Sequence, residues 1–385
     1  MARLTRVRGI LPPAAAALLA TLSLILLSAG CDGGSDPIIP PDDSTETVFG
    51  PPFGCIAWFD NDKRIVTRSE ADDTIRTVRN TGDTGDLTDV GYSPLWTTNQ
   101  TETRFLVYDT GQDRLITIDE EGNQDAFGEN VLEGFYTFSP GGTRVFYVTQ
   151  NGDTTRVWRY ALAPVSEYTM VAEYVLPWRV RHAPSVITAN SLIINVRNTL
   201  QSGLSQIEYW MVGDSEPYET TLLNTQAFYA SPGGDYEAYV RDEGSTLSIV
   251  VDGTSYDLSA HGTDLVSFLW SPMQNPSAAT LIAAYVSDDL AEPATLVVVD
   301  PFGGTVEAIQ PEEVEWHAGW EDAEGAAWTW PDWNPDGSKL VGMARGADGN
   351  YRIVTTDLDG NATVVAHSLP FPCRPTWNPH CEDSE

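Results

Sequence analysis

The sequence predicts an all-β fold made from a repeated four-stranded antiparallel unit, and three observations support this. A short turn motif recurs along the chain, and each copy is followed by two strand-like runs rich in Val, Ile, Tyr and Thr. Gly-Asn, Asp-Gly and Gly-Gly pairs, which are typical of tight hairpin turns, lie between such runs. The 385 residues also include 32 glycines and 25 prolines, which favours many turns over long helices.

The turn motif consists of an aromatic residue, then Ser or Asn, then Pro, often followed by Gly or Asp. Its copies are Tyr92-Ser93-Pro94, Phe138-Ser139-Pro140, Tyr229-Ala230-Ser231-Pro232, Trp270-Ser271-Pro272, Trp333-Asn334-Pro335 and Trp377-Asn378-Pro379. Ala183-Pro184 is a degenerate copy, and Phe59-Asp60-Asn61-Asp62 occupies the same place in a first copy. Successive prolines lie 46, 44, 48, 40, 63 and 44 positions apart, which indicates a repeated unit with one insertion.

A unit of roughly 40–45 residues with four short strands has the length of one β-propeller blade. A single four-stranded sheet cannot bury both faces, whereas blades arranged around an axis cover one another and protect their edges. Seven copies lie between Cys55 and Ala366, so we predict a β-propeller of four-stranded antiparallel blades, with seven blades favoured over six or eight. Pro375–Pro379 begins an eighth motif, which either pairs with the first blade to complete the ring or caps it.

The repeat also resembles a known family. Trp333–Val341, closed by Thr356–Gly360, is similar to the WD-like propeller repeat of the TolB type, and Leu87–Val90 matches the way such repeats join. The resemblance covers nearly all of the predicted domain and is faintest at Arg181–Gly213. It implies a propeller fold, a location in the bacterial envelope and a role in protein–protein interaction, although a fold alone does not define function.

The first part of the chain, residues 1–30, has the pattern of an export signal. A basic segment ending at Arg8 precedes the apolar stretch Ala14–Leu27, which is shorter than the ~20 residues that a membrane-spanning helix needs. The small residues that follow resemble a bacterial lipobox, in which Cys31 receives a diacylglyceryl group. We therefore predict an exported lipoprotein, anchored on the periplasmic face of a membrane or at the cell surface. The alternative is an ordinary secretory signal cleaved near Gly30.

Residues 31–54 and the overall charge describe the exported chain further. The segment is rich in Asp, Pro, Gly and Ser, so it is predicted to form a disordered or extended tether, with the propeller domain at 55–385. The net charge of −34 repels nucleic acid and anionic lipid headgroups, which excludes nucleic acid as a partner.

The cysteines that remain after Cys31 are Cys55, Cys373 and Cys381. An exported protein meets oxidising conditions, so one disulfide is expected among these three thiols. A bond from Cys55 to either of the other two would join the two ends of the domain. A local bond between Cys373 and Cys381 is the competing arrangement.

An insertion at about 311–332 accounts for the longest spacing between motif prolines. It contains Trp316, His317, Trp320 and Trp328, which we interpret as candidates for an exposed binding loop on one face of the propeller. Exposed tryptophans offer flat apolar surfaces to a peptide or to a sugar ring. The alternative is that these tryptophans pack the loop onto the domain.

The predicted function is binding rather than catalysis, because the sequence has no G-x-S-x-G elbow, H-E-x-x-H motif or phosphate-binding loop. The expected partner is an envelope protein or peptide, and a propeller that binds or degrades polysaccharide is the first alternative. No cofactor is predicted. Asp336 and Asp359 lie in predicted turns and are weak calcium candidates, which leaves a calcium-stabilised structural protein as the second alternative.

Overall fold

The computed structural model describes the following residues: 55–59, 65–68, 75–77, 95–96, 104–109, 111–119, 123–139, 141–162, 166–201, 205–223, 225, 227–232, 234–242, 246–272, 280–288, 293–311, 314–317, 319–322, 325–328, 331–346, 348–369 and 375–378. All regular structure within these residues is β-strand. The strands form seven antiparallel sheets and one additional two-stranded hairpin. Across these residues there is no helix long and apolar enough to span a bilayer.

The strands of blades 2, 3 and 4 follow one another along the chain, and so do three strands of blade 1. Blade 1 takes β1 (Ile56–Phe59), β2 (Ile65–Arg68) and β3 (Ile75–Thr77). Blade 2 contains β4 (Leu95–Trp96), β5 (Arg104–Asp109), β6 (Arg114–Asp119) and β7 (Gln124–Phe127). Blade 3 contains β8 (Val131–Phe138), β9 (Arg144–Asn151), β10 (Thr154–Ala161) and β11 (Glu167–Val175). Blade 4 contains β12 (Trp178–Val180), β13 (Ser185–Val186), β14 (Ser191–Asn198), β15 (Ser205–Met211) and β16 (Glu219–Leu223).

The remaining strands complete the ring. Blade 5 contains β17 (Phe228–Ala230), β18 (Glu237–Asp242), β19 (Leu247–Val251) and β20 (Thr254–Asp257). Blade 6 contains β21 (Asp264–Trp270), β22 (Ile282–Ser287), β23 (Thr295–Asp300) and β24 (Thr305–Ile309). Blade 7 contains β25 (Glu315–Trp316), β28 (Asp332–Trp333), β29 (Lys339–Arg345), β30 (Tyr351–Asp357) and β31 (Ala362–Leu369). The separate hairpin is β26 (Gly319–Asp322) with β27 (Gly325–Trp328), and the last strand is β32 (Thr376–Trp377).

Blade 1 is assembled from both ends of the domain. Strand β32 pairs antiparallel with β1, which places Ile56 opposite Trp377, and the Asn378 N–H donates to the carbonyl of Cys55 at 2.7 Å. The prediction of a seven-bladed propeller is therefore confirmed, and the last motif completes the first blade. Because β1 is the second strand of this blade, Phe59 precedes the turn between its second and third strands. The assignment of that segment as a first copy of the motif was wrong by one strand.

In blades 3, 5, 6 and 7 the motif marks the turn that follows the first strand, and hydrogen bonding explains its Ser or Asn. The Tyr92 copy lies outside the described residues, but it precedes β4, the first strand of blade 2, so that copy was misplaced. The Ser231 N–H donates to the Tyr236 carbonyl at 2.8 Å, and the Tyr236 N–H donates to Ser231 Oγ at 3.1 Å. Asn334 makes the same pair with Lys339, at 3.0 Å and 2.8 Å. Ser139 and Ser271 repeat the arrangement in blades 3 and 6. All four residues are buried, so each side chain satisfies a main-chain group that water cannot reach.

The first strands of neighbouring blades lie against one another, which identifies them as the inner strands around the axis. Tryptophans of the motif link these strands from blade to blade. The Trp270 indole N–H donates to the Tyr229 carbonyl of blade 5 at 3.1 Å. The Trp333 indole N–H donates to the Leu269 carbonyl of blade 6 at 3.4 Å. The apolar core lies between the blades, so these bonds fix how one blade packs on the next.

Candidate functional site

The inner strands of blades 4 and 7 are each broken into two strands, whereas the other described inner strands stay continuous, with bulges in β8 and β21. The break is 181–184 in blade 4 and 317–331 in blade 7. Both halves of each broken strand pair with the same second strand, β14 or β29. Each break lies opposite two residues of that strand, 194–195 or 342–343. Irregular backbone therefore replaces a regular strand at two places in the wall around the axis.

The first residue of each break keeps one main-chain hydrogen bond to the second strand. The Arg181 N–H donates to the Asn195 carbonyl at 2.8 Å, and the His317 N–H donates to the Met343 carbonyl at 2.9 Å. Arg181 and His317 therefore occupy equivalent positions in the two blades. The chain leaves the ladder only after this bond, so both residues are held by the frame of the propeller rather than by a free loop.

Three arginines, Arg179, Arg181 and Arg197, converge at the break in blade 4, and we call them the arginine site. Arg179 lies opposite Arg197 in the β12–β14 register. Side chains two residues apart on a strand, or directly opposite on neighbouring strands, share a face of the sheet. Arg179 and Arg197 therefore start from one face, opposite the face on which Val180 packs against blade 3, and Arg181 is held next to them by its main-chain bond to Asn195. The Arg179 guanidinium extends from this face to Gln150 of blade 3.

The arginine site lacks neutralising carboxylates within the part of the chain that the structure describes. Arg179 donates to Gln150 Oε1 at 3.2 Å and Arg181 donates to the Thr225 carbonyl at 3.2 Å, but neither these two nor Arg197 forms an ion pair there. Burial lowers the pKa of Arg181, and the positive charge of Arg197 lowers it further. Three arginines without an ion-pair partner among the described residues therefore stand at one break in a chain whose net charge is −34.

His182 lies beside the arginine site and is held as a neutral ring. Its Nδ1 is 2.7 Å from the Ala183 carbonyl, which only accepts, so Nδ1 carries the proton. Nε2 is then the acceptor for the Asn195 amide at 3.3 Å. Burial lowers the pKa of His182 to about 4, with repulsion from Arg181 as a smaller cause. The ring also packs on Tyr229 of blade 5, with 4.7 Å between ring centroids.

Asn195 leaves one polar atom of this region unused. The residue is 1% exposed, and its Oδ1 is buried without a hydrogen-bond partner among the described residues. Arg179 Nε is buried and unpartnered in the same sense. A buried polar atom without a partner costs about 1–3 kcal/mol, so such atoms are uncommon in the interior of a blade. The break in blade 4 thus combines positive charge, a neutral imidazole, an aromatic ring and unused hydrogen-bonding capacity.

The break in blade 7 starts from an apolar region, and this corrects the expectation for Trp316. Trp316 is 0% exposed, and its indole N–H donates to the Ile309 carbonyl at 3.0 Å. It packs near Tyr285 over Gly342, where an added Cβ would lie 2.1 Å from the Tyr285 hydroxyl and 3.0 Å from the Trp316 ring. Trp316 therefore belongs to the core between blades 6 and 7 and offers no exposed surface.

His317 is also buried, with 8% of its surface exposed, and is not part of an exposed loop. Its ring meets Tyr351 edge-on at a centroid distance of 5.0 Å. Burial lowers the pKa of His317 to about 4, and the positive charge of Arg345 contributes. The ring is therefore neutral at physiological pH and packs against Tyr351 of the third strand of blade 7.

The other two tryptophan candidates lie on the hairpin inside this insertion. Trp320 is on β26 and pairs with Ala327, and Trp328 is on β27 and pairs with Gly319. Their side chains lie outside the described part of the structure, so exposure of these two residues stays a prediction. The hairpin interrupts an inner strand of blade 7. The sequence had instead predicted a loop on one face of the propeller, where an insertion between blades would emerge.

The remaining predicted residues are the cysteines and the two calcium candidates. Cys55 forms a disulfide, but its partner lies outside the described residues, as do Cys31, Cys373 and Cys381. Asp336 Oδ1 accepts the Ser338 N–H at 2.8 Å, as expected of a turn residue, and Asp359 is exposed in another turn. No group of three or more potential metal ligands occurs among the residues that the structure describes.

Sequence reasoning did not identify the arginine site. A signal was present, because Arg179, Arg181 and Arg197 are three of only 21 basic residues and stand within one predicted blade. The turn motif is degenerate there, so the register between β12 and β14, which places Arg179 opposite Arg197, could not be read from the repeat. The Ala183-Pro184 copy of the motif lies inside the break, and the turn to the second strand comes later, at 187–190.

The fold and site define a seven-bladed β-propeller whose first blade is completed by the last described strand, with polar groups gathered at a broken inner strand. No family model matches the chain, and no curated protein matches it either. Solved structures do show the same fold. An oligogalacturonate lyase from Vibrio parahaemolyticus is 13% identical with a TM-score of 0.52, over 82% of this chain and 86% of that one.

Two further structures extend this comparison. TolB from Acinetobacter baumannii is 12% identical with a TM-score of 0.48, over 85% of this chain and 68% of that one. The β-propeller domain of the trilobed protease from Pyrococcus furiosus is 12% identical with a TM-score of 0.42, over 72% of this chain and 98% of that one. At 13% identity the similarity to the lyase shows the fold alone, and it does not establish a ligand or an activity.

Proposed function

We propose that this chain is a membrane-tethered, extracytoplasmic β-propeller that binds a protein or peptide at its broken inner strands. The single observation that carries the proposal is the break in blade 4, which gathers unpaired hydrogen-bonding groups and charge on a rigid frame. A rigid scaffold that presents irregular segments is the usual way in which a propeller recognises partners. The hairpin in the break of blade 7 supplies a second contact region, in which Trp320 and Trp328 are the proposed anchors.

The binding proposal is tested by capturing partners from solubilised envelope membranes with the intact chain. We expect a defined envelope protein to be retained, and retention to fall by roughly tenfold when Trp320 and Trp328 are both changed to Ala. The matched control changes Leu222 and Phe302 to Ala, because both are more than half exposed and lie away from the breaks. Equal retention by the two double variants would remove the hairpin from the binding site.

The membrane tether is tested separately. Changing Cys31 to Ser removes the only thiol at the predicted lipobox, so the variant should lose incorporation of labelled fatty acid and leave the membrane fraction. Changing Ser35 to Ala in the tether is the control and should alter neither result. A Cys31→Ser chain that still carries labelled fatty acid would show that the lipid is attached elsewhere.

Binding or cleavage of a polysaccharide is the second candidate function. The arginines, His182 and the Tyr229 ring at the break in blade 4 are residue types that bind acidic sugars, and the Vibrio parahaemolyticus lyase shares the fold. Incubation with oligogalacturonate would distinguish the two functions, because lyase action produces an unsaturated product that absorbs ultraviolet light. Turnover that is lost in a His182→Ala variant would favour this function over peptide binding.

A further inference from the structure

We propose that the arginine site binds carboxylate groups of a peptide, specifically a short acidic segment flanked by neutral or basic residues. This inference rests on the proposed function, since it names the ligand chemistry of the same broken strand. The geometry points to an oxyanion because Arg179 lies directly opposite Arg197, Arg181 makes the next main-chain bond to the same strand, and none of the three forms an ion pair with any described carboxylate.

The energetic argument concerns the mutual repulsion of these charges. Like charges placed directly opposite on neighbouring strands destabilise a sheet, and Arg179 lies directly opposite Arg197. A chain with 55 acidic residues could neutralise such a pair easily, yet the described hydrogen bonds of Arg179 and Arg181 go to an amide oxygen and a carbonyl oxygen. A bound carboxylate would relieve the repulsion and use the planar guanidinium donors, which suit bidentate contacts with carboxylates.

The neighbouring groups fit a peptide segment. Arg197 is exposed, so a ligand can reach the site from solvent, whereas Arg181 is partly buried and held by the Thr225 carbonyl. The Asn195 amide and the unprotonated Nε2 of His182 provide neutral polar groups beside the charges. Tyr229, packed against His182, offers a flat apolar surface next to them.

The charge of the rest of the protein favours a short acidic segment over a long polyanion. At a net charge of −34, the surface repels a polyuronate chain or a nucleic acid, which carries a negative charge on every unit. A peptide with one or two carboxylates and neutral or basic flanks places its negative charges only at the arginine site, where the local charge is positive, so it largely avoids this repulsion. The same flanks would be attracted by the surrounding acidic surface.

The proposal is tested by calorimetric titration of the mature chain with two blocked peptides. One peptide carries two adjacent glutamates between lysines, and the other carries two glutamines in their place. We expect the glutamate peptide to bind at least roughly tenfold more tightly, because charge-assisted hydrogen bonds to the arginines are lost in the glutamine peptide. Equal affinity for the two peptides would overturn the proposal.

Protein variants then locate the binding. Changing Arg197 to Gln should weaken binding of the glutamate peptide by at least roughly tenfold, and because Arg197 is exposed the fold should tolerate the change. Arg156→Gln is the matched control, since it alters net charge equally and removes only a partly exposed ion pair with Glu173. The Arg181→Gln variant, checked by its melting curve, should weaken binding as well. Unchanged affinity in both Arg197→Gln and Arg181→Gln would overturn the proposal.

The ligand class and the proposed function are separated by two further titrations. Tighter binding of a short galacturonate oligomer than of the glutamate peptide would overturn the peptide assignment, and so would tighter binding of inorganic phosphate. If the envelope partner is still captured when Arg181 and Arg197 are both Gln, the proposed function stands and this inference fails. If the glutamate peptide binds through the arginines but no envelope partner is captured, the inference stands and the scaffold proposal fails.

Discussion

The breaks in blades 4 and 7 begin with the same main-chain hydrogen bond but lead to different structures. In both blades the inner strand leaves the ladder after one last hydrogen bond, made by Arg181 in blade 4 and His317 in blade 7. The residue before the break is buried in each case, Val180 in one blade and Trp316 in the other. The structures then diverge, because blade 4 inserts four residues, 181–184, whereas blade 7 inserts fifteen, 317–331, and folds them into a hairpin.

The difference lies in what the second strand places opposite each break. Blade 7 has Gly342 and the buried Met343 there, and the absent side chain of Gly342 makes room for the Trp316 ring and the Tyr285 hydroxyl. Blade 4 has Ile194 and Asn195 at the same positions. The Asn195 amide holds His182, and its oxygen has no partner among the described residues. In blade 7 the residues opposite the break are apolar and the insertion is long. In blade 4 a polar residue lies opposite the break, and charged groups stay near the axis. We therefore regard blade 7 as the anchor of the hairpin and blade 4 as the candidate recognition site.

The largest expected effect tests the role of Trp316 in the core of blade 7. Changing Trp316 to Ala should reduce the free energy of unfolding by about 3–5 kcal/mol, because a fully buried indole and its hydrogen bond are lost. Val180→Ala, at the equivalent position of blade 4, should cost roughly half as much, because fewer buried carbons are removed. Leu200, which is 82% exposed, is the surface control, and its change to Ala should cost less than about 0.5 kcal/mol. Denaturant unfolding measures all three, and a cost for Trp316→Ala near that of Leu200→Ala would contradict its core role.

The next effect uses the histidine at each break. Burial lowers the pKa of His182 and of His317 from 6.5 to about 4. Between these pH values the unfolded chain binds protons that the folded chain does not, so stability falls as pH falls from 6.5 to 4. Between pH 7 and pH 4 the free energy of unfolding of the His317→Gln variant should therefore fall by roughly 2–3 kcal/mol less than that of the wild type. The His182→Gln variant should differ from the wild type in the same direction. Identical pH dependence in all three proteins would show that neither ring resists protonation.

The repeat predicted the fold because its signals are local. The Ser or Asn of the motif makes hydrogen bonds within one turn, and strand runs are read from neighbouring residues, so spacing alone gave the blade count. The completion of blade 1 by β32 was foreseen as one of two possibilities, since a motif without its following strands must find them elsewhere. The repeat placed Phe59 on the wrong strand of blade 1. The inner strand of that blade is defined by pairing between residues more than 300 positions apart, which a local pattern does not show.

The candidate site was harder to predict because it depends on register between strands. Tryptophans were the visible signal in the insertion, yet Trp316 is buried, since a large aromatic ring beside a glycine on the neighbouring strand fills a core position. Arg179 and Arg197 are eighteen positions apart in sequence and meet only through the β12–β14 pairing. A regular repeat would have fixed that register, but the motif is degenerate in blade 4.

The smallest expected effect is a difference in stability between substitutions in the turns that follow the two breaks. In blade 7 this turn carries the motif residue Asn334, which is 0% exposed and whose Oδ1 accepts the Lys339 N–H at 2.8 Å. In blade 4 the corresponding turn uses Thr188, which is exposed and whose Oγ1 accepts the Ser191 N–H at 3.0 Å. Asn334→Ala leaves a main-chain N–H without its acceptor at a buried site and should cost about 1–2 kcal/mol. Thr188→Ala should cost less than about 0.5 kcal/mol, because water can replace the hydroxyl. Equal costs in denaturant unfolding would show that burial of the motif residue is not what stabilises the turn, and that the degenerate motif of blade 4 gives up no stability.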